Sequence, residues 1–140
     1  MCCHSIPFRA LKTKPKILLI EDNEANRYLV TYLLQAHGFD VAVARDGASG
    51  IRIAKECKPR LILLDIQLPE MNGYDIARNL RSIEETMSIP IVAVTSYAMV
   101  GDREKAIEAG CNGYIEKPIN PDTFIDEINS FLSQIPAPES

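Results

Sequence analysis

No stretch of this 140-residue chain is long and apolar enough to span a membrane, and no apolar leader with a cleavage site stands at its N-terminus. Both absences favour the cytoplasm. The four cysteines, Cys2, Cys3, Cys57 and Cys111, lack the spacing of a disulfide framework or a zinc site. "MCCHS" sets two thiols beside His4, but no second ligand pair follows, so a frayed terminus is expected there. Cys57 and Cys111 read as ordinary reduced thiols. Acid is missing from residues 1–16, which hold Arg9, Lys12, Lys14 and Lys16. The rest of the chain sets 11 basic residues against 19 acidic ones, a net of −8 within an overall −4. An acidic globule argues against a nucleic-acid surface. The basic leader reads as a solvated extension.

What is present is an ordinary globular composition, 46% hydrophobic and 24% charged, at a length that suits one domain. Residues 1–15 are expected to lie outside the fold as a flexible basic extension. Residues 134–140, "QIPAPES", are expected to be a frayed tail, leaving 16–133 as the domain. Within it, apolar runs alternate with helical patterns. "KILLI" is a strand-length run, and "EDNEANRYLVTYLLQAHG" follows with Ala25, Tyr28, Leu29, Tyr32, Leu33 and Ala36 at helical spacing. "FDVAVA" alternates as a strand with one wetter face. "ASGIRIAKECK" predicts a helix with Ile51, Ala54 and Cys57 inward. "LILL", "IPIVAVT" and "GYIEK" complete five strands. "GYDIARNLRS", "GDREKAIEAG" and "PDTFIDEINSFLS" complete five helices, the last with Phe124, Ile125, Ile128, Phe131 and Leu132 as its apolar face.

Five alternations of strand and helix imply a parallel sheet between helices. The runs at 17–20, 61–64 and 91–94 are apolar throughout, as strands covered on both faces should be. The strand near 39–44 belongs at an edge. Right-handed crossovers leave the flavodoxin-like α/β order 2-1-3-4-5 as the expected doubly wound fold.

Ligands of such sheets bind beyond the carboxyl ends of the strands. There the first strand delivers Glu21 and Asp22, the third Asp65, the fourth Thr95 and the fifth Lys117-Pro118. Packed carboxylates repel one another unless a cation or a shared proton relieves them. Oxygen donors without His or Cys favour Mg²⁺ or Mn²⁺ over zinc. A carboxylate can act as a nucleophile toward phosphorus, and the transferred group needs its charge balanced. Lys117 offers a compact point charge and Thr95 a hydroxyl. Taken singly, Asp22 can cap a helix, Asp65 can cap a turn, and Lys117 can be a solvated lysine. Their arrival at one rim favours a site.

The motifs "LLIEDNEANR", "LILLDIQLPEMNGYD", "PIVAVTSYA" and "GYIEKPI" resemble those of response-regulator receiver domains of two-component signalling, over residues 16 to about 132. The resemblance implies Asp65 as phosphoacceptor, with Glu21 and Asp22 holding Mg²⁺ (Mn²⁺ substituting) beside Asp65 and the backbone carbonyl of Gln67. It implies Thr95 as the switch hydroxyl, Lys117 as the phosphate-binding lysine, a cis Lys117-Pro118 peptide and Tyr114 as the switch aromatic. A phosphohistidine on a sensor histidine kinase or a histidine phosphotransfer protein would be the donor. Asn26 and Arg27 stand where such receivers meet it. Met99 and Val100 open the fourth helix, on the face that would be read by a downstream protein.

Ser96 departs from the family's usual alanine or glycine and is expected to narrow phosphate access modestly. Gln67 and Tyr97 occupy positions that tune hydrolysis of the acyl phosphate in the family, and a bulky ring at 97 predicts a long-lived phosphoryl group. About eight residues follow the last helix, which predicts a receiver without an output domain, acting through protein contact. The alternatives are a receiver excised from a hybrid kinase or phosphorelay protein, and an interaction module that is never phosphorylated. A haloacid-dehalogenase-type phosphatase would need an aspartate where Gln67 stands. A nucleotide- or flavin-binding module would need a glycine-rich loop after the first strand, where Glu21, Asp22 and Glu24 stand instead.

Overall fold

The computed structural model describes residues 14–68, 71–96 and 101–133. The expected leader, the tail, and the readings of Tyr97, Met99 and Val100 fall outside these residues, apart from Lys14 and Pro15 of the leader. The ten elements run β1 (Lys16–Ile20), α1 (Glu24–Ala36), β2 (Asp40–Ala44), α2 (Gly47–Cys57), β3 (Leu61–Asp65), α3 (Gly73–Ser82), β4 (Ile91–Thr95), α4 (Asp102–Glu108), β5 (Gly113–Glu116) and α5 (Pro121–Ser133). The strands form one parallel sheet in the order β2-β1-β3-β4-β5.

Burial explains the apolar runs. Every residue of 17–20, 61–64 and 91–94 is buried, because helices cover both faces of the sheet. Successive side chains of a strand point to opposite faces, so each central strand feeds two cores. Leu18, Ile20, Ile62, Leu64, Ile91 and Ala93 pack with Ala54 of α2, Ile76 and Leu80 of α3, and Ala106 of α4. Ile17, Leu19, Leu61, Leu63, Val92 and Val94 pack with Val30 and Leu34 of α1 and Phe124 and Ile128 of α5. The edge strand β2 is only half-covered, with Val43 exposed.

Three details differ from the sequence reading. The buried stripe of α1 is Val30, Leu33 and Leu34, while Tyr28 and Tyr32 are 75% and 61% exposed. Both stripes keep helical spacing, and docking against β1 and α5 selects the aliphatic one. In α2 the buried residues are Gly47, Gly50 and Ala54, with Ile51 and Cys57 only partly covered. A Cβ on Gly50 would lie 2.5 Å from Ile20 Cδ1, so the glycine lets α2 approach the sheet closely. Cys57 is disulfide-bonded rather than a reduced thiol, and Cys111 is free and buried. Spacing along the chain carries no record of which sulfurs meet in space.

Parallel strands and returning helices set the polarity of the domain. All five strands end at one rim. β1 begins at the opposite rim, and α5, starting from the carboxyl end of β5, runs back toward it. That far rim is tied by Arg81, whose guanidinium donates to the carbonyls of Gly110 (2.9 Å), Met87 (3.0 Å) and Ile89 (2.6 Å) and to Asn112 Oδ1 (2.7 Å).

Candidate functional site: an acidic rim around Asp65

Strand register places the carboxylates. Ile20 pairs with Leu64, so Glu21 and Asp65, each one residue further on, come level at the ends of neighbouring strands. Both are almost fully buried, at 2% exposure each, while Asp22 is exposed. One oxygen from each of Glu21, Asp22 and Asp65 lies within 4.8 Å of the others. On the other side of β3, Asp65 pairs with Val94, and Thr95 pairs with Glu116 of β5. Thr95 is 2% exposed at the end of its strand, and its carbonyl accepts from the Lys117 N–H at 2.7 Å. The Lys117-Pro118 peptide is cis. Lys117 Nζ lies 3.2 Å from Glu21 Oε1 and 3.3 Å from Asp65 Oδ1.

Four of the expected residues therefore meet directly, and Thr95 closes the adjacent strand. Tyr114 is set back. It pairs with Ala93 in the sheet and is half-buried. With Arg103, Ile107 and Phe131 it lines a cleft of about 210 Å³ between α4 and α5. The backbone of Gln67 lies beside the cluster, its N–H donating to Asp65 Oδ1 at 3.0 Å.

The neighbours of the cluster carry local reasons of their own. Asn23 caps α1 by accepting from the Asn26 N–H at 2.9 Å, and its own N–H donates to Glu21 Oε2 at 3.2 Å. Arg27, one turn into α1, donates to the carbonyls of Glu21 (3.2 Å) and Asp22 (2.7 Å). Burial pushes the Glu21 carboxyl up to about 7, and the adjacent Asp65 pushes the same way through a hydrogen bond and its charge. Lys117 and the Asn23 N–H offset only part of this. Two nearly buried carboxylates sharing one lysine hold more negative charge than that lysine can neutralise. The chemistry this suits is capture of a hard cation at one side and of an electrophile at Asp65.

Three contributors escape sequence reasoning. Gly73, the first residue of α3, admits the helix against the turn after β3. A Cβ there would sit 2.5 Å from Ile66 Cα and 2.9 Å from the Asp65 carbonyl oxygen. Asn72 caps α3 and forms an isolated antiparallel bridge with Gln67. The Gln67 side chain accepts from the Ser96 N–H at 3.2 Å. In the sequence Gly73 opens the helical run "GYDIARNLRS", but nothing in it announces a close approach to the carbonyl of Asp65.

Among the described residues no helix is long and apolar enough to cross a membrane. A family model described as "Response regulator receiver domain" matches residues 17–129. The polar-differentiation response regulator DivK of Brucella anthropi is 41% identical over 116 residues, which cover 83% of this chain and 94% of that protein. DivK of Brucella ovis is 42% identical over the same length. Among solved structures, the receiver domain of sensor histidine kinase PA1611 from Pseudomonas aeruginosa PAO1 is 34% identical with a TM-score of 0.76. It covers 87% of this chain and 97% of that one, and has a magnesium ion coordinated in its active-site cleft. The chemotaxis response regulator CheY4 of Vibrio cholerae is similar at 25% identity and a TM-score of 0.79, over 84% and 98% of the two chains. With five parallel strands in this order and an acidic rim at their carboxyl ends, the chain belongs to the response regulator receiver domains.

Proposed function

We propose that Asp65 is the phosphoacceptor, taking a phosphoryl group from a phosphohistidine on a sensor histidine kinase or a histidine phosphotransfer protein. The observation that carries this reading is the environment of Asp65. It is a nearly buried carboxylate with Lys117 Nζ 3.3 Å from one oxygen and two further carboxylates within 4.8 Å.

The donor set fits a hard divalent ion. Glu21, Asp22 and Asp65 offer oxygen only, Asp22 is exposed on the entry side, and the Gln67 carbonyl is the fourth protein ligand in this reading. When bound, Mg²⁺ or Mn²⁺ neutralises the carboxylates and the charge that develops on the phosphoryl oxygens. The chain supplies the rest. Asp65 attacks phosphorus with a carboxylate oxygen. The Gln67 N–H and Lys117 orient the carboxylate through Oδ1. Lys117 then balances the charge of an equatorial phosphoryl oxygen, and Thr95 donates its hydroxyl to another. Movement of Thr95 toward the phosphoryl group lets Tyr114 turn inward and reshapes the α4-β5-α5 face for a downstream protein. Self-catalysed loss of the phosphoryl group by hydrolysis belongs to the same reading.

Residues 16–133 form the functional unit in this reading, acting in the cytoplasm without nucleic acid or membrane. Asn26 and Arg27 border the donor's approach. Similarity to the polar-differentiation regulators supports a phosphorelay that acts through protein contact. Intact-protein mass spectrometry after incubation with acetyl phosphate tests the proposal. One phosphoryl adduct that needs Mg²⁺ and is absent from Asp65→Asn is expected. An adduct that persists in Asp65→Asn, or no adduct with acetyl phosphate or with a panel of phosphorylated donors, refutes it.

A further inference from the structure

One contact spans the two strand ends that frame the acceptor. Gln67, two residues past Asp65, extends its side chain to the end of β4 and accepts from the Ser96 backbone N–H at 3.2 Å. The backbone of Gln67 is held independently of that contact. Its N–H is on Asp65 Oδ1 at 3.0 Å, and it bridges to Asn72, the cap of α3. The neighbouring Ile66 N–H is bonded to the Val94 carbonyl, and the Gly73 N–H to the Ile66 carbonyl. So the side chain is presented from a fixed base, and its reach to Ser96 is a property of that base.

Ser96 directly follows Thr95, and β4 lies beside β3 with Val94 opposite Asp65. Its N–H is thus a main-chain donor at the rim where the phosphoryl group would form. In this structure that donor is engaged by a neutral amide oxygen. A phosphoryl group carries about 1.5 to 2 negative charges at pH 7 and three strong acceptor oxygens. A charged acceptor binds an N–H about twice as strongly as a neutral one.

We propose that the Gln67 side chain is a latch, holding the Ser96 amide in the unphosphorylated protein and yielding it to the phosphoryl group on Asp65. This rests on Asp65 being the acceptor. Gln67 is then a positioning residue. It acts through Ser96, and no bond to phosphorus is made or broken on its side chain. With acetyl phosphate, the new bond joins an Asp65 oxygen to phosphorus as the bond to acetate breaks, and acetate leaves with its electron pair. The latch stabilises the starting state only, so its removal speeds phosphorylation. It also makes the unmodified rim less ordered at Ser96.

The test compares wild type with Gln67→Met, which keeps the length of the side chain and removes the amide oxygen. Gln67 is partly exposed, so the change leaves the cores untouched. In ¹⁵N-labelled full chain without donor, the Ser96 amide resonance should shift in the variant and its exchange with solvent should quicken. With acetyl phosphate and Mg²⁺, the adduct should form about three- to tenfold faster than in wild type, the range expected for losing one neutral hydrogen bond. In wild type the Ser96 amide should move again on phosphorylation, as it changes acceptor. A Ser96 amide that ignores Gln67→Met overturns the latch, as does an adduct forming at the wild-type rate or slower. No adduct on either protein, with acetyl phosphate or with a panel of phosphorylated donors, refutes the phosphoacceptor reading itself, an outcome distinct from equal rates.

Discussion

Gly73→Ala is the sharpest test of how the acceptor is held. The new methyl carbon would start 2.5 Å from Ile66 Cα and 2.9 Å from the Asp65 carbonyl oxygen, against an ordinary contact of at least 3.4 Å. Both obstacles are backbone, so no rotamer change relieves them. The turn after β3 or the first turn of α3 must retreat by about 0.9 Å at the nearer contact. Overpacking of this kind costs about 1–3 kcal/mol. Alanine returns up to about 1 kcal/mol of helix propensity, and less at a first helical position. The net loss is about 1–2 kcal/mol, or a melting temperature lower by roughly 3–8 °C. The retreat also moves the residues that orient Asp65, and a misplacement of about 1 Å can cost on the order of a hundredfold in rate. Circular dichroism melts and the acetyl phosphate reaction measure the two effects. Gly38→Ala is the control. Nothing lies within 4 Å of a Cβ there, but φ is +90°, so stability should fall while phosphorylation stays near wild type. Unchanged melting and unchanged phosphorylation in Gly73→Ala would refute the close-approach reasoning.

Three further outcomes follow from the charges and burial. In metal-free buffer the folded chain binds a proton at Glu21 between the ordinary value of 4.5 and about 7 that the unfolded chain has already released. That contribution is fully present below about pH 4.5 and lost as pH rises through 7, a change on the order of 3 kcal/mol. Urea titrations should therefore show Glu21→Gln gaining on wild type from pH 5 to pH 8, and a gap that stays flat would contradict the assignment. Lys117→Met leaves Glu21 and Asp65 with no cation at 3.2 and 3.3 Å, so at pH 8 without Mg²⁺ it should lose about 3–5 kcal/mol. Added Mg²⁺ or pH 5 should restore much of that loss, and equal losses under all three conditions would argue against charge as the cause. Burial pushes the Cys111 thiol up to about 11, so iodoacetamide at pH 8 should spare it in the folded chain and label it after unfolding. Rapid labelling of the native protein, read by peptide mass spectrometry, would contradict its burial.

The parts of this molecule that were legible in the sequence are those where one pattern had one meaning. "LILL" and "IVAV" have no polar face, so burial on both sides was the only way to satisfy them, and the order of a five-stranded parallel sheet followed. Glu21, Asp22, Asp65 and Lys117 were legible because strand ends in such a sheet converge whatever the loops do. Legibility failed where two patterns were equally good. In α1, Tyr28 and Tyr32 keep the same spacing as Val30 and Leu34, and only the shape of the partner surface chooses between them. It failed again for contacts between positions distant along the chain. Gln67 and Ser96 are separated by 29 positions, and neither residue type advertises the other. Gly73 read as the opening of a helix and is also a space left for a backbone.

The polarity of the sheet has a further consequence. The chain enters the described fold at Lys16 and leaves it at Ser133, both on the rim away from Asp65. Whatever is spliced onto either end grows from the side opposite the carboxylate cluster, with Arg81 bracing the loops beside it. A unit built this way takes both of its connections at the end opposite the aspartate, so a longer chain can carry it without threading past the carboxylate cluster.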